Sequence, residues 1–509
     1  MSSDTGQRLS KLLKEKNELL AQRERLIADL HALDSRIADV TLEYGRTYNE
    51  ERPISKIPNE LLHDILHLVK AESDPSEELN KHPEQIFAAV SAQWRQAILS
   101  FGDLWNSFRT SHPSDNAHNR LVACLERSGT FPLDLWFDFR PVGLLDLPDG
   151  FHLLQDSIGH IHRWRSFTVL TEIDSPIIFL STQLVDKEAP LLERLTLLPY
   201  RQYDFEPPDK DFPRNHTGAI ALTGGTPKLS YLCLNDLSGS IFSPPLTTIT
   251  DLRLDMIEGI ENCWMSWSTF LQILQLPSLT TVSLVGQHFE SAAPPIPRIH
   301  VPTLKHLRYA SLASSDFVDL ILPNLDAPHL TTLTLKDLPL PSDTTYWASS
   351  HLKPFPKLHT LVLIDFEFYL KPFAYQLCSL TSKISTMIVA DGLGEWLPWA
   401  ERLRRTSTRP LWLNADTVVL DIPRGLDMAY KFKLFLQRHP NVRKVYIPEE
   451  TRFEAKEIMG AVEALAKEDR DIDLAVFHAA EAVDPCLGPW PPGSEDSGDV
   501  DDPFWFDIG

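Results

Sequence analysis

His63 and His67 stand four residues apart in a stretch with helical spacing, so both imidazoles share one face. Together they offer two of the ligands that a divalent ion takes. The sequence around them indicates no third ligand, and exposed helix histidines are the expectation. His160 and His162 fall at the start of a strand and alternate faces. Cys233 has no activating base in its own segment and is expected to be structural. Gly224-Gly225-Thr226-Pro227-Lys228 lacks the spacing of a phosphate-binding loop and reads as a turn. Neither a His-Glu-x-x-His nor a Gly-x-Ser-x-Gly pattern occurs. Asn215-His216-Thr217 fits a glycosylation sequon, idle in a reducing compartment. The expectation is therefore a chain with no catalytic residues, no cofactor and no metal, and not an enzyme.

Whatever the chain does instead must come from its elements. The 509 residues carry a formal net charge of −22, from 70 acids against 48 bases. Nucleic-acid binders present a basic face that replaces counterions. The best basic cluster here, Arg402, Arg404 and Arg405, is short and set among acids, so no nucleic-acid partner is expected. Apolar residues make up 43% and charged residues 23%, as in globular proteins. No apolar run is long enough to span a membrane, and Met1–Ser10 has no apolar signal region. The five cysteines are scattered, with no Cys-x-x-Cys pair. A reducing cytoplasmic or nuclear setting fits. Proline is over-used: 39 Pro stand against 21 Gly.

Residues 8–44 contain neither Pro nor Gly. Leu12, Leu19, Leu26, Leu33 and Val40 recur every seventh residue, and Leu9, Lys16, Arg23, Leu30, Ile37 and Tyr44 form a second heptad row. The pattern predicts an amphipathic helix ending near Gly45. It either forms a coiled coil, as a homodimer or with a partner helix, or folds back on its own protein.

A small helical module follows. Pro58 and Asn59 open a helix in which Leu61, Leu62, Ile65, Leu66 and Val69 form an apolar stripe. After a polar interval from Lys70 to Lys81, a second helical stretch holds Ile86, Ala89, Val90, Trp94, Ala97 and Ile98, and Leu104-Trp105 closes the segment. Ile57-Pro58-Asn59-Glu60, then Val90-Ser91-Ala92-Gln93-Trp94-Arg95, then Leu104-Trp105 resemble the F-box. With the heptad helix before it, and with Leu125-Glu126-Arg127-Ser128-Gly129 and Pro132-Leu133-Asp134-Leu135 after it, residues 53–135 resemble the large fungal F-box family. The interval between the helices is longer and more acidic than the family's. The resemblance implies a substrate-recognition subunit of an SCF-type (cullin-RING) ubiquitin ligase, docked on a Skp1-like adaptor. The carried-over adaptor contacts are Pro58, Leu61, Ile65, Leu66, Trp94, Leu104 and Trp105. The alternative is a non-catalytic interaction scaffold without ubiquitin transfer.

Beyond residue 160 one phrase recurs: apolar, two others, apolar, one other, apolar. Leu192-Leu195-Leu197, Leu279-Val282-Leu284, Leu330-Leu333-Leu335 and Leu358-Leu361-Leu363 are among eleven copies, spaced by 20 to 37 residues. This is the period of leucine-rich repeats. Seven prolines (Pro190, Pro227, Pro277, Pro302, Pro328, Pro356 and Pro440) each precede a first apolar position by two residues. There they are expected to stop the preceding helix and set an extended φ at the strand start. The usual Asn or Cys at the ninth position is replaced by Leu237, Ile257, Leu338 or Phe366. The eighth is often acidic (Asp236, Asp337, Asp365, Asp391), either as turn or cap chemistry at the strand end or as an acidic row along one rim. Tyr231, Asp251, Arg253, Asp255, His306, Arg308 and Lys336 are expected to face solvent on the concave side. Of these, Tyr231, Arg253, His306, Arg308 and Lys336 are the candidate target contacts.

The expected fold is α/β. It comprises a coiled-coil-like helix (8–44), an F-box-like helical domain (53–108), a linker or N-terminal cap (118–160), a parallel-strand solenoid (161–480) and a disordered acidic tail (484–509). Within that tail Phe504-Trp505-Phe506 is expected to cap the last repeat or to dock on a partner.

Overall fold

The computed structural model describes residues 2–50, 52, 56–72, 83–111, 113–141, 147–201, 220–256, 265–289, 296–312, 317–338, 352–365, 371–390, 412–421, 436–437, 439–448, 460, 473–477, 490, 502 and 504. The expectations for Asn215, Ile257, Phe366, Asp391, the Arg402 cluster and Trp505-Phe506 lie outside these residues. The chain divides into two compact units. One comprises Met1–Asn106 with Glu126–Gly129, the other Ser107–Leu125 with Thr130–Gly509.

The first unit is helical. α1 (Ser2–Glu50) continues through Gly45, where a helix end was expected. A glycine inside a helix costs only about 1 kcal/mol, and Tyr44 and Tyr48 stack across it one turn apart, with ring centroids at 6.0 Å. Both heptad rows are exposed, from Leu9 (64%) to Leu33 (62%) and Tyr44 (68%). Then come α2 (Asn59–Glu72), α3 (Pro83–Ala88), α4 (Ala92–Ser100) and a 3-10 turn, Gly102–Trp105. Ser91 caps α4, its hydroxyl accepting from the Trp94 N–H.

Among the described residues, the strands of the second unit form a 14-stranded parallel sheet and a separate two-stranded one. In chain order its elements begin with β1 (Ser107–Thr110), α5 (Asp115–Arg127), β2 (Leu133–Phe139), α6 (Leu147–Ile158), β3 (Trp164–Ile173) and α7 (Ser175–Gln183). They continue with β4 (Arg194–Arg201), β5 (Tyr231–Asn235), α8 (Asp236–Ile241), β6 (Asp251–Asp255), α9 (Trp267–Leu274) and β7 (Thr281–Val285). β8 (Ile299–His300), β9 (His306–Ala310), β10 (Leu325–Asp326), β11 (Thr332–Lys336), β12 (Thr360–Ile364) and α10 (Lys371–Leu380) follow. β13 (Thr386–Ala390), β14 (Thr417–Asp421), β15 (Lys444–Pro448) and β16 (Asp473–Phe477) complete the order. β8 and β10 pair with each other; the rest line up in sequence order, the pattern of a leucine-rich-repeat-like solenoid. The fourth and sixth positions of each phrase fill the core: Leu195 and Leu197, Val282 and Leu284, Leu333 and Leu335, Leu361 and Leu363 are at most 1% exposed.

The sheet starts two strands before the expected solenoid. Leu133, Leu135, Phe137 and Phe139 alternate with half-buried residues on β2, which pairs with β1 and β3. The described residues of 118–160 thus include β2, which extends the sheet at its N-terminal end.

The prolines have a different role from the one expected. The N–H of the first apolar residue bonds back to the carbonyl three residues before it: Leu192 to Ala189, Leu229 to Thr226, Leu279 to Leu276, Leu330 to Ala327 and Val442 to His439. Each proline is therefore the second residue of a β-turn, where its fixed φ is already correct and no N–H is required. Of the described eighth-position acids, Asp236 opens α8 behind its cap Asn235, and Asp337 and Asp365 fit turn chemistry. Asp337 and Asp365 have φ of 47° and 46°, a left-handed conformation that Asp tolerates better than most residues. In place of a ninth-position ladder, other side chains bridge repeats, among them Asn414 and Asn441, which donate to the Ser382 and Leu413 carbonyls. Asn235 donates to the Pro199 carbonyl, and His288 Nε2 lies 3.0 Å from the carbonyls of Leu254 and Val285.

Candidate functional site

In the helical unit, α2 carries two apolar stripes. Leu62 and Leu66, each 1% exposed, point inward with Trp94, Ala97, Ile98, Leu104 and Trp105. The Trp105 indole N–H donates to the Ile98 carbonyl at 2.9 Å, so the closing turn is tied to the end of α4. The second stripe is exposed: Leu61 55%, Ile65 41%, Leu68 64% and Val69 38%, at i, i+4, i+7 and i+8. Of the seven expected adaptor contacts, Pro58, Leu61 and Ile65 lie at the surface. Leu66, Trp94, Leu104 and Trp105 do not. They pack with Leu62, Ala97 and Ile98 as the core of the unit, because a module this small needs its few large apolar residues to fill itself.

The closing turn, against a third face of α2, supplies the ligand that the sequence did not indicate. Asp103 Oδ2 lies 2.7 Å from Nε2 of both His63 and His67. Burial raises the Asp103 carboxyl, but hydrogen bonds from the two histidines and their charge outweigh it, and the net shift is downward. His63, His67 and Asp103 are the set, among the described residues, that could hold a divalent ion. With one oxygen accepting from both rings, the three groups form a hydrogen-bonded clamp between α2 and the closing turn. The histidines are half-buried members of that clamp rather than free surface groups.

In the sheet, the third, fifth and seventh positions of each phrase point away from the core. Their middle row runs Cys233, Arg253, Ser283, Arg308, Thr334, Val362, Ile388 and Val419 across neighbouring strands. Two arginines therefore stand at the centre, one strand apart. One flank is apolar through Leu170, Leu198, Tyr231 and Cys233. The other is apolar through Val362, Ile364, Ile388, Ala390 and Val419.

This face is covered, against the expectation that it meets solvent. Tyr231, Arg253 and Arg308 are buried at 6%, 3% and 3%, whereas His306 and Lys336 are half-buried. Arg253 is neutralised within its own strand by Asp255, through Nε and Nη2 contacts of 2.7–3.0 Å. Tyr231 packs against Leu198 and Cys233, with the Arg194 guanidinium 4.2 Å above its ring. Arg308 is covered by residues from far along the chain. Its Nη1 donates to Asp502 Oδ2 at 2.6 Å, and its guanidinium lies 4.4 Å from the Trp490 ring centre and 4.6 Å from that of Phe504. Phe504 packs with Val285 and Ala310. Trp490, Asp502 and Phe504 are thus docked, not disordered. Phe504 seats in mid-array, on β7 and β9, rather than on the last repeat, because the aromatic–guanidinium contacts are found there.

Burial lowers the His306 pKa to about 4, helped by Lys305, and its ring meets Trp490 edge-on at 6.0 Å. Burial likewise lowers His288 to about 4, against its two carbonyl partners. His306 was among the candidate target contacts, whereas His288 did not stand out in the sequence. For His288 the only signal was its place one residue after the missing ladder position.

No helix among the described residues is long and apolar enough to cross a membrane. No protein-family model matches the chain, and no curated protein does. Among solved structures, the leucine-rich repeat-containing protein LegL7 from Legionella pneumophila is similar at 13% identity, covering 62% of this chain and 94% of that one, with a TM-score of 0.34.

Proposed function

We propose that the chain is a non-catalytic substrate receptor of an SCF-type ubiquitin ligase, in which the helical unit docks a Skp1-like adaptor and the repeat sheet holds a target protein. The observation that carries this reading is the exposed stripe Leu61, Ile65, Leu68 and Val69 on a helix whose opposite stripe is fully packed. An apolar row left at a helix surface after its own core is filled is what helix-in-groove recognition uses. The adaptor contacts are then Pro58, Leu61 and Ile65 together with Leu68 and Val69. Leu66, Trp94, Leu104 and Trp105 act by holding the unit folded. Pull-down with the adaptor tests the reading. Wild type should capture it, and Leu61→Asp with Ile65→Asp should not, at unchanged thermal stability. Failure of the wild-type chain to capture the adaptor overturns the proposal.

A second reading, a scaffold that gathers partners without ubiquitin transfer, is favoured by α1. Both heptad rows are exposed along it, and Leu13, Leu20 and Ile27 widen the apolar strip. Pairing with a second copy through residues 8–44 would bury that strip. Self-association without adaptor capture would select this reading.

A further inference from the structure

We propose that the sheet face around Arg308 is a recognition site for extended peptide segments carrying an acidic residue two positions before an aromatic one, and that the chain's own Asp502-Pro503-Phe504 is its resident competitor. The proposal stands whether or not the helical unit binds an adaptor, and it defines the chemistry of the target that the sheet would take.

The two central arginines differ in how their charge is compensated. Arg253 has its carboxylate two residues away in the same strand. The strand of Arg308, His306-Leu307-Arg308-Tyr309-Ala310, holds no acid. Among the described residues its ion-pair partner is Asp502, 194 positions along the chain. The Arg308 side chain is buried at 3% exposure, and that of Asp502 is 11% exposed. A guanidinium in such a place is costly unless a carboxylate meets it. The site is therefore built for an anion that the strands themselves do not supply.

The second specificity element is aromatic. Val285 and Ala310 form the floor on which Phe504 sits, 4% exposed, with its ring against the Arg308 guanidinium. A guanidinium whose Nε is fixed by the Ser283 hydroxyl offers one edge to a carboxylate and its flat face to a ring. The spacing of the two ligand groups is set within the peptide. Asp502 Oδ1 accepts from the Phe504 N–H at 3.1 Å while Oδ2 takes the arginine. Only an acid two residues before an aromatic makes both contacts at once.

The fit of the resident segment is incomplete. Trp490 Nε1 and His306 Nδ1 are both buried with no hydrogen-bond partner among the described residues. A target segment that satisfies either atom, while repeating the acid and the aromatic, gains over the resident one. Because the resident segment is tethered, it competes at an effective concentration of up to about the millimolar range. A free peptide must therefore find the site emptied first.

Fluorescence anisotropy with a labelled synthetic peptide of residues 498–509 tests this. The proteins are the full chain and its Asp502→Asn/Phe504→Ala variant, which removes the resident acid and aromatic and keeps every residue of the strands. The peptide should bind the variant roughly ten- to hundredfold more tightly than wild type. Peptides carrying Asp502→Asn or Phe504→Ala should each lose binding by a similar factor, a comparison that does not depend on how any protein variant folds. Arg308→Gln in the variant background should abolish binding. Equal binding to wild type and variant, no binding to either, or indifference to the peptide substitutions would overturn the proposal.

Discussion

His63 Nε2 and Asp103 Oδ2 lie 2.7 Å apart, and the same oxygen receives His67 Nε2 at the same distance. Asp103→Asn should destabilise the helical unit by about 1 kcal/mol at neutral pH, as expected for one charge-assisted interaction in a half-buried place. Since the folded carboxyl titrates below its ordinary value, this contribution is present above about pH 4 and is lost as the pH falls through the folded pKa. Acid titration of wild type and variant by circular dichroism should therefore show the two curves converging below pH 4. A clamp of this kind leaves the melting temperature unchanged in excess zinc. A rise that disappears in His67→Ala would mark a metal site instead.

The two stripes of α2 should separate by mutation. Leu66→Ala, at 1% exposure, should cost about 2–5 kcal/mol in chemical denaturation. Leu61→Ala, at 55% exposure, should stay within about 0.5 kcal/mol of wild type. Equal losses would mean that the outer stripe is also internal.

His288 should make stability pH-dependent. Its folded pKa near 4 lies below the unfolded value near 6.5, so between these the unfolded chain binds more protons and acid favours unfolding. The loss from pH 7 to pH 4 should be on the order of 3 kcal/mol for this residue. Urea midpoints across that range should flatten in His288→Asn, which keeps a donor for the carbonyls.

Asp337 should behave in the opposite sense. Partial desolvation raises its carboxyl pKa, with Lys336 opposing the rise and Asp365 adding to it, so its ionised form weakens the fold as pH increases through that value. Asp337→Asn retains a residue suited to φ of 47° and removes the charge, and should equal or exceed wild type in melting temperature at pH 7.

Sedimentation equilibrium should show self-association that is lost in Leu19→Asp with Leu26→Asp, both exposed on the heptad row of α1. A monomeric wild type would exclude the homodimer.

The sequence alone determined the parts governed by local period. The spacing of Leu333 and Leu335 and its relatives defined the strands and their inward residues, because alternation on a strand puts side chains two apart on one face. The heptads of residues 8–44 marked a helix for the same kind of reason. Pro277 and its equivalents were visible as punctuation, yet their place inside a β-turn emerged only from the hydrogen bond between Leu279 and Leu276. The start of the sheet at Ser107 was hidden because β1 and β2 lack the repeat phrase. What tertiary structure alone decided were the long-range meetings. The Leu61 and Leu62 stripes look alike until the core fills one of them. Asp103 joins histidines 36 and 40 residues before it. Asp502 and Phe504 close over Arg308, 194 residues back. An acidic tail reads as solvated by composition, and only the uncompensated charge on a distant strand gives two of its residues a reason to dock.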